Sequence, residues 1–115
     1  MVPPPAGAVI LIPFPFSDLS RSKLRPAVVL ADAGRGDRIL CQITSKPYAD
    51  PEAVALPEES FDNGSLRRTS YARPGKLFTA SSELVHGQAG QLKPQALRSI
   101  VDAVVAILLR GLEGK

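Results

Sequence analysis

The apolar residues of this chain fall in short runs as far as residue 80, and take up a helical rhythm only after Pro94. That change of period limits the fold more than any other feature. Residues 8–14 read as a strand that is nearly apolar on both faces. Residues 26–31 read as a second, in which Val28, Val29 and Leu30 supply strand propensity. Gly34 and Gly36, between Asp32 and Asp37, mark a hairpin turn. Residues 38–45 form a third strand, with Ile39, Cys41 and Ile43 on one face and Leu40, Gln42 and Thr44 on the other. A short strand is expected at 53–56, a turn at Asp62-Asn63-Gly64, and two more strands at 69–73 and 76–80, divided at Pro74-Gly75.

Ser81 or Ser82 caps a short helical turn that stops by Gly87. The spacing then predicts a helix over 94–110, with Pro94 in its first turn and Gly111 just past its end. Leu97, Ile100, Val101, Val104, Ile107 and Leu108 make its core stripe, and Val105 and Leu109 widen the apolar face enough to meet a second subunit. Many short strands followed by one terminal helix predict a mainly β chain with some α. We expect one domain over 1–115, a small, partly closed β-barrel with the helix packed against it.

Composition removes several kinds of chemistry. The single cysteine, Cys41, excludes an internal disulfide and an all-cysteine zinc site. The single histidine, His86, excludes a multi-histidine metal centre and leaves one candidate base for serine–histidine chemistry. No apolar run approaches the ~20 residues of a membrane span. The apolar stretch before Pro13 and Pro15 has no basic segment ahead of it, so no signal peptide is expected. A reducing cytoplasmic setting and no cofactor follow as expectations.

The net charge of +3 is too small to identify a partner by itself, but it is unevenly spread. Residues 1–16 carry no charged side chain, 50–64 hold five acids and no base, and 65–76 hold four bases and no acid. Two basic segments, one around Arg21, Lys23 and Arg25 and one from Arg67 to Lys76, are separated by an acidic stretch. Arg67, Arg68, Arg73 and Lys76 read either as a solvated face or as a groove for a nucleic-acid backbone.

Two places concentrate polar chemistry. Arg25 precedes Pro26, which pushes it into extended geometry at the edge of a polar loop and sets the chain direction there. At the far end of the hairpin, apolar residues give way to Thr44, Ser45 and Lys46. Antiparallel pairing about the glycine turn brings residue 25 opposite residue 44, placing a cation beside a hydroxyl.

The segments Arg25-Pro26-Ala27-Val28-Val29-Leu30 and Gln42-Ile43-Thr44-Ser45-Lys46 resemble the MazF/PemK family of toxin endoribonucleases from type II toxin–antitoxin systems. Pro13 to Ser20 is similar to a PemK-like branch. Weaker similarity runs through Ser70-Tyr71-Ala72-Arg73-Pro74-Gly75-Lys76-Leu77-Phe78-Thr79 and the terminal helix, in the family's order. The resemblance implies an SH3-like or CcdB-like barrel with a C-terminal helix, usually a homodimer. It further implies metal-independent cleavage of single-stranded RNA such as mRNA. The 2′-OH attacks the adjacent phosphorus, leaving a 2′,3′-cyclic phosphate and a 5′-OH, and a cognate antitoxin holds the activity in check.

The family's catalytic arginine falls on Arg25 and its catalytic threonine on Thr44. A guanidinium suits bidentate contact with a phosphate whose charge grows in the transition state. RNA-backbone contact then falls to Arg21, Lys23, Ser45, Lys46, Arg73 and Lys76. Some relatives pair an arginine with an aspartate two residues later as acid and base. Here Arg73 matches that arginine, but Gly75 stands at the aspartate position, so the general base is unassigned. Two non-catalytic alternatives share the fold. A CcdB-like gyrase inhibitor relies on a C-terminal tryptophan segment, and this chain has no tryptophan. A weakened RNA-binding module is suggested by Gly75. Phe14 and Phe16 are read as core or dimer packing, with base stacking as the functional alternative.

Overall fold

Strand β1 (Ala8–Phe14) is buried along nearly its whole length, and the reason is that each of its faces meets a different core. In the computed structural model, which describes residues 3–14, 23–47 and 50–114, β1 lies inside a seven-stranded sheet. The other strands are β2 (Lys23–Gly34), β3 (Asp37–Thr44), β4 (Val54–Leu56), β5 (Phe61–Gly64), β6 (Ser70–Ser81) and β7 (Gly87–Leu92). Their order is β4-β6-β3-β2-β1-β7-β5, and every pairing is antiparallel. The sheet curls into a nearly closed barrel with one C-terminal helix, as expected. Val9, Val28, Cys41 and Ile43 point into one core with Ile100 of the helix; Ile10, Ile12, Phe14, Ala27, Val29 and Leu40 form the other. The pleat sends alternate residues to opposite sides, so a strand between two cores reads as a continuous apolar run. Phe14 meets Phe78 edge to face with ring centroids 4.7 Å apart, which is core packing.

Two expectations about the strands need correction. Asp62-Asn63-Gly64 is not a turn but most of β5, an edge strand paired with β7. Neither strand shows an apolar alternation: β7 reads Gly-Gln-Ala-Gly-Gln-Leu, and it is held by pairing to β1 and β5 rather than by propensity. The strands expected on either side of Pro74-Gly75 are one continuous β6. The interruption appears instead as a shift of register against β3, between Cys41–Leu77 and Ile43–Ala72.

The helix α1 (Pro94–Leu112) begins at Pro94 as expected but runs through Gly111. One glycine in a helix interior costs only about 1 kcal/mol relative to alanine. The stop comes at Gly114, whose φ of 77° supplies the left-handed residue that ends a helix. Ile100 and Val104 are its buried residues, and it packs on β6, β4 and β7. Leu108, placed in the core stripe by its spacing, is 63% exposed and lies with Val105, Leu109 and Leu112 on the outer face. Among the described residues no helix is long and apolar enough to cross a membrane.

Candidate functional site

Strands β2 and β3 pair as far as Ala27 with Gln42, and just beyond that pair Arg25 and Thr44 line one cleft. On its other side Arg25 pairs with Ile12 of β1, so its backbone belongs to the rigid sheet while its side chain is exposed. Thr44 ends β3. Its hydroxyl accepts a hydrogen bond from the Lys46 N–H at 3.1 Å and donates to the Lys46 carbonyl at 3.1 Å. That small ring turns the chain out of the strand and sets Ser45 at the rim.

Arg25, Thr44 and Ser45 line one side of a cleft of about 510 Å³, floored by Leu11, Pro26 and Ile43. The opposite wall is the 65–69 connection between β5 and β6, with Arg67 and Arg68 and the hydroxyls of Ser65 and Ser70. No carboxylate and no imidazole is among the described lining residues. Guanidinium and hydroxyl groups converging without a counter-charge favour an anion, and planar guanidinium groups fit the oxygens of phosphate.

Arg38, Arg73, Arg98 and Arg110 each form an ion pair, at 3.1, 2.8, 3.2 and 3.0 Å. Arg25, Arg35, Arg67 and Arg68 form none with any described residue; Arg35 sits in the β2–β3 turn, and the other three line the cleft. Arg38 is buried and ties Pro4 to the hairpin through a 3.1 Å bond to its carbonyl.

Arg73 and Lys76, expected to contact RNA, line a second cleft, together with Asp50, Glu52, Gly75 and Ile107. The Arg73 Nε donates to Asp50 Oδ2 at 2.8 Å, and the Asp50 side chain is only 13% exposed. This hydrogen bond, supported by another from the Glu52 N–H, holds the Asp50 carboxyl below the usual carboxylate range. Arg73 thus has a carboxylate partner although position 75 is glycine. The partner comes from the β3–β4 connection, and it is not among the described lining residues of the Arg25 cleft.

Lys23 is exposed at the start of β2 and Lys46 is exposed beside Thr44. Arg21 and Phe16, with the rest of the segment from Pro15 to Ser22, lie outside the described residues. His86 is exposed just after a short helical turn (Ser82–Leu84) that Ser81 caps, and its backbone N–H bonds the Leu11 carbonyl. Cys41 is fully buried and its thiol donates to the Arg73 carbonyl at 3.1 Å; burial pushes that thiol up to about 12, which leaves it inert. Among the described residues no group of three or more His, Cys, Asp or Glu side chains is placed to hold a metal ion.

The sequence offered Arg67 and Arg68 as a solvated face or a nucleic-acid groove but did not place them beside Arg25; the fold does, since the 65–69 connection lines the same cleft.

The family model for PemK-like, MazF-like toxins of type II toxin–antitoxin systems matches residues 6–108. Among solved structures, the MazE–MazF complex from Deinococcus radiodurans is similar with a TM-score of 0.74 at 19% identity, over 93% of this chain and 97% of that one. An endoribonuclease in complex with its cognate antitoxin from a mycobacterial species gives a TM-score of 0.69 at 16% identity, over 94% and 95%. The Mycobacterium tuberculosis toxin MazF-mt6 gives 0.65 at 14% identity, over 84% and 91%. At these identities the likeness is one of fold. No curated protein sequence matches the chain.

Proposed function

Because the chain belongs to the PemK-like, MazF-like toxin family of type II toxin–antitoxin systems, we propose that it is an endoribonuclease that cleaves single-stranded RNA in the cytoplasm without a metal. The observation that carries this reading is the cleft shared by Arg25 and Thr44, lined by guanidinium and hydroxyl groups with no described carboxylate beside them. The similar structures that are themselves endoribonucleases, one of them bound to its antitoxin, support it.

In the reaction we envisage, a ribose 2′-oxygen attacks the adjacent phosphorus and the bond from phosphorus to the 5′-oxygen breaks. The products are a 2′,3′-cyclic phosphate and a 5′-OH. Arg25 clamps the non-bridging oxygens, where negative charge grows on the way to the five-coordinate state. A guanidinium donates hydrogen bonds and carries positive charge, so Arg25 acts electrostatically. The Thr44 hydroxyl swings its hydrogen from the Lys46 carbonyl to a phosphate oxygen, a small movement of a group already fixed at the strand end. The 2′-OH proton leaves to water, and the departing 5′-oxygen takes one from water. A cognate antitoxin covers the same cleft and blocks it.

The assay is incubation of the purified chain with a long RNA in EDTA. Fragments ending in cyclic phosphate support the enzyme. Intact RNA that is retarded in a gel supports the non-catalytic binding module that Gly75 and the carboxylate-free cleft would favour.

A further inference from the structure

The 65–69 connection is built more firmly than its length suggests. At its start, Gly64 has a φ of 72°, and a β-carbon there would collide with the Ala89 carbonyl. The Ser65 N–H bonds that same carbonyl at 3.3 Å. In the middle, Leu66 is packed against the main core. At the end, the Ser70 hydroxyl donates to the Arg68 carbonyl at 3.0 Å. A backbone pinned at both ends and in its middle has little freedom left, yet the side chains it carries at 67 and 68 are exposed and have no ion pair with any described residue. Uncompensated cations on a stiff support that also lines the Arg25 cleft are arranged to receive an anion.

We infer that Arg67 and Arg68 form a second phosphate seat, which holds the RNA backbone at a phosphate flanking the one clamped by Arg25. The inference rests on the ribonuclease reading and deepens it. An RNA strand carries a phosphate at every nucleotide, so a cleft with arginines on both walls grips two points of the strand and fixes the direction in which it lies. These two arginines act in binding and orientation, whereas Arg25 acts on the reacting phosphate. A carboxylate-rich protein segment would also suit such a wall. RNA is favoured because the exposed Ser45 and Ser65 add two hydroxyls that suit phosphate and ribose oxygens.

The test uses the full chain and uncleavable single-stranded oligonucleotides lacking every 2′-OH, an octamer and a dinucleotide, with Kd measured as a function of salt. For the octamer, Arg67→Ala and Arg68→Ala together should weaken binding about tenfold or more at moderate salt. They should also flatten the slope of log K against log salt by roughly 0.7 for each phosphate that is no longer neutralised. The dinucleotide, too short to reach the second wall, should show no such difference, and Arg67→Lys with Arg68→Lys should restore most of the slope. An unchanged slope, an equal loss on the dinucleotide, no octamer binding by the parent chain, or a loss confined to antitoxin binding would each overturn the inference. Binding is read here without cleavage, so a failure of the ribonuclease reading shows separately, as intact RNA with a normal salt slope.

Discussion

The guanidinium of Arg73 donates to the carboxylate of Asp50 at 2.8 Å across 23 residues of sequence, closing the base of the loop that leaves Thr44. Glu52, two residues further on, reaches Arg110 of α1 at 3.0 Å. Two ion pairs therefore tie the β3–β4 connection to the strand and helix behind it. Asp50 has a lowered pKa, so its contribution to stability is fully present above the ordinary aspartate range near ~3.9 and is lost as pH falls through the lower folded-state value. Asp50→Asn should lower the unfolding free energy by about 1 kcal/mol at neutral pH, a figure discounted for the solvent at the cleft mouth. The deficit should shrink in acid, as the parent loses the same charge. Urea melts at neutral and acid pH check this; a deficit that persists unchanged in acid would show that the ion pair is not its source.

Thr44 already has both hydrogen-bonding roles of its hydroxyl filled by Lys46. Thr44→Val removes both bonds and the contact with phosphate, whereas Thr44→Ser keeps the hydroxyl. A hydrogen bond to a charged oxygen contributes about 1.5–3 kcal/mol, so the valine variant should lose roughly 10- to 150-fold in cleavage rate. The serine variant should stay within a few-fold. Initial rates on one short RNA distinguish the two, and equal losses would show that the hydroxyl is not what Thr44 contributes.

The outer face of α1 exposes Val105, Leu108, Leu109 and Leu112 at 45%, 63%, 53% and 84%. A second copy of the chain packed there is the homodimer that the apolar width of the helix predicts. Leu108→Asp with Leu109→Asp should convert a dimer to a monomer at micromolar concentration while leaving the helical circular dichroism intact. Sedimentation velocity reads the result. A parent chain that is already monomeric removes the prediction, and a double variant that remains dimeric moves the interface elsewhere.

The parts of this fold legible in the sequence are those where local pattern and tertiary structure agree. The continuous apolar run at 8–14, the Gly34–Gly36 hairpin and the start of α1 at Pro94 are such cases. The nearness of Arg25 and Thr44 was legible only in part: the turn itself pairs Gly34 with Asp37, and two register shifts along β2, which no local pattern signals, bring the pairing to Ala27 with Gln42. What escaped was set by distant neighbours. The strand Gly87–Leu92 is held by its pairing partners and not by its own residues, and it turns Asp62-Asn63-Gly64 into a strand edge. Arg73 looked like a free cation because Asp50, its partner, lies in a loop whose path no local pattern describes. Leu108 fits the helical stripe by spacing, but only Ile100 and Val104 of α1 are buried and Leu108 lies on its outer face.

In the proposed reaction Arg25 acts on the scissile phosphate in a cleft with no carboxylate among its described lining residues. The most direct measurement is cleavage of an end-labelled single-stranded RNA in EDTA by the parent chain and by Arg25→Ala, with fragment ends identified. The account predicts 2′,3′-cyclic phosphate ends from the parent and a loss of roughly 10²- to 10³-fold in the variant, the scale of removing one charge-stabilising group. Cleavage by Arg25→Ala at the parent's rate, or RNA left intact by the parent, would contradict it.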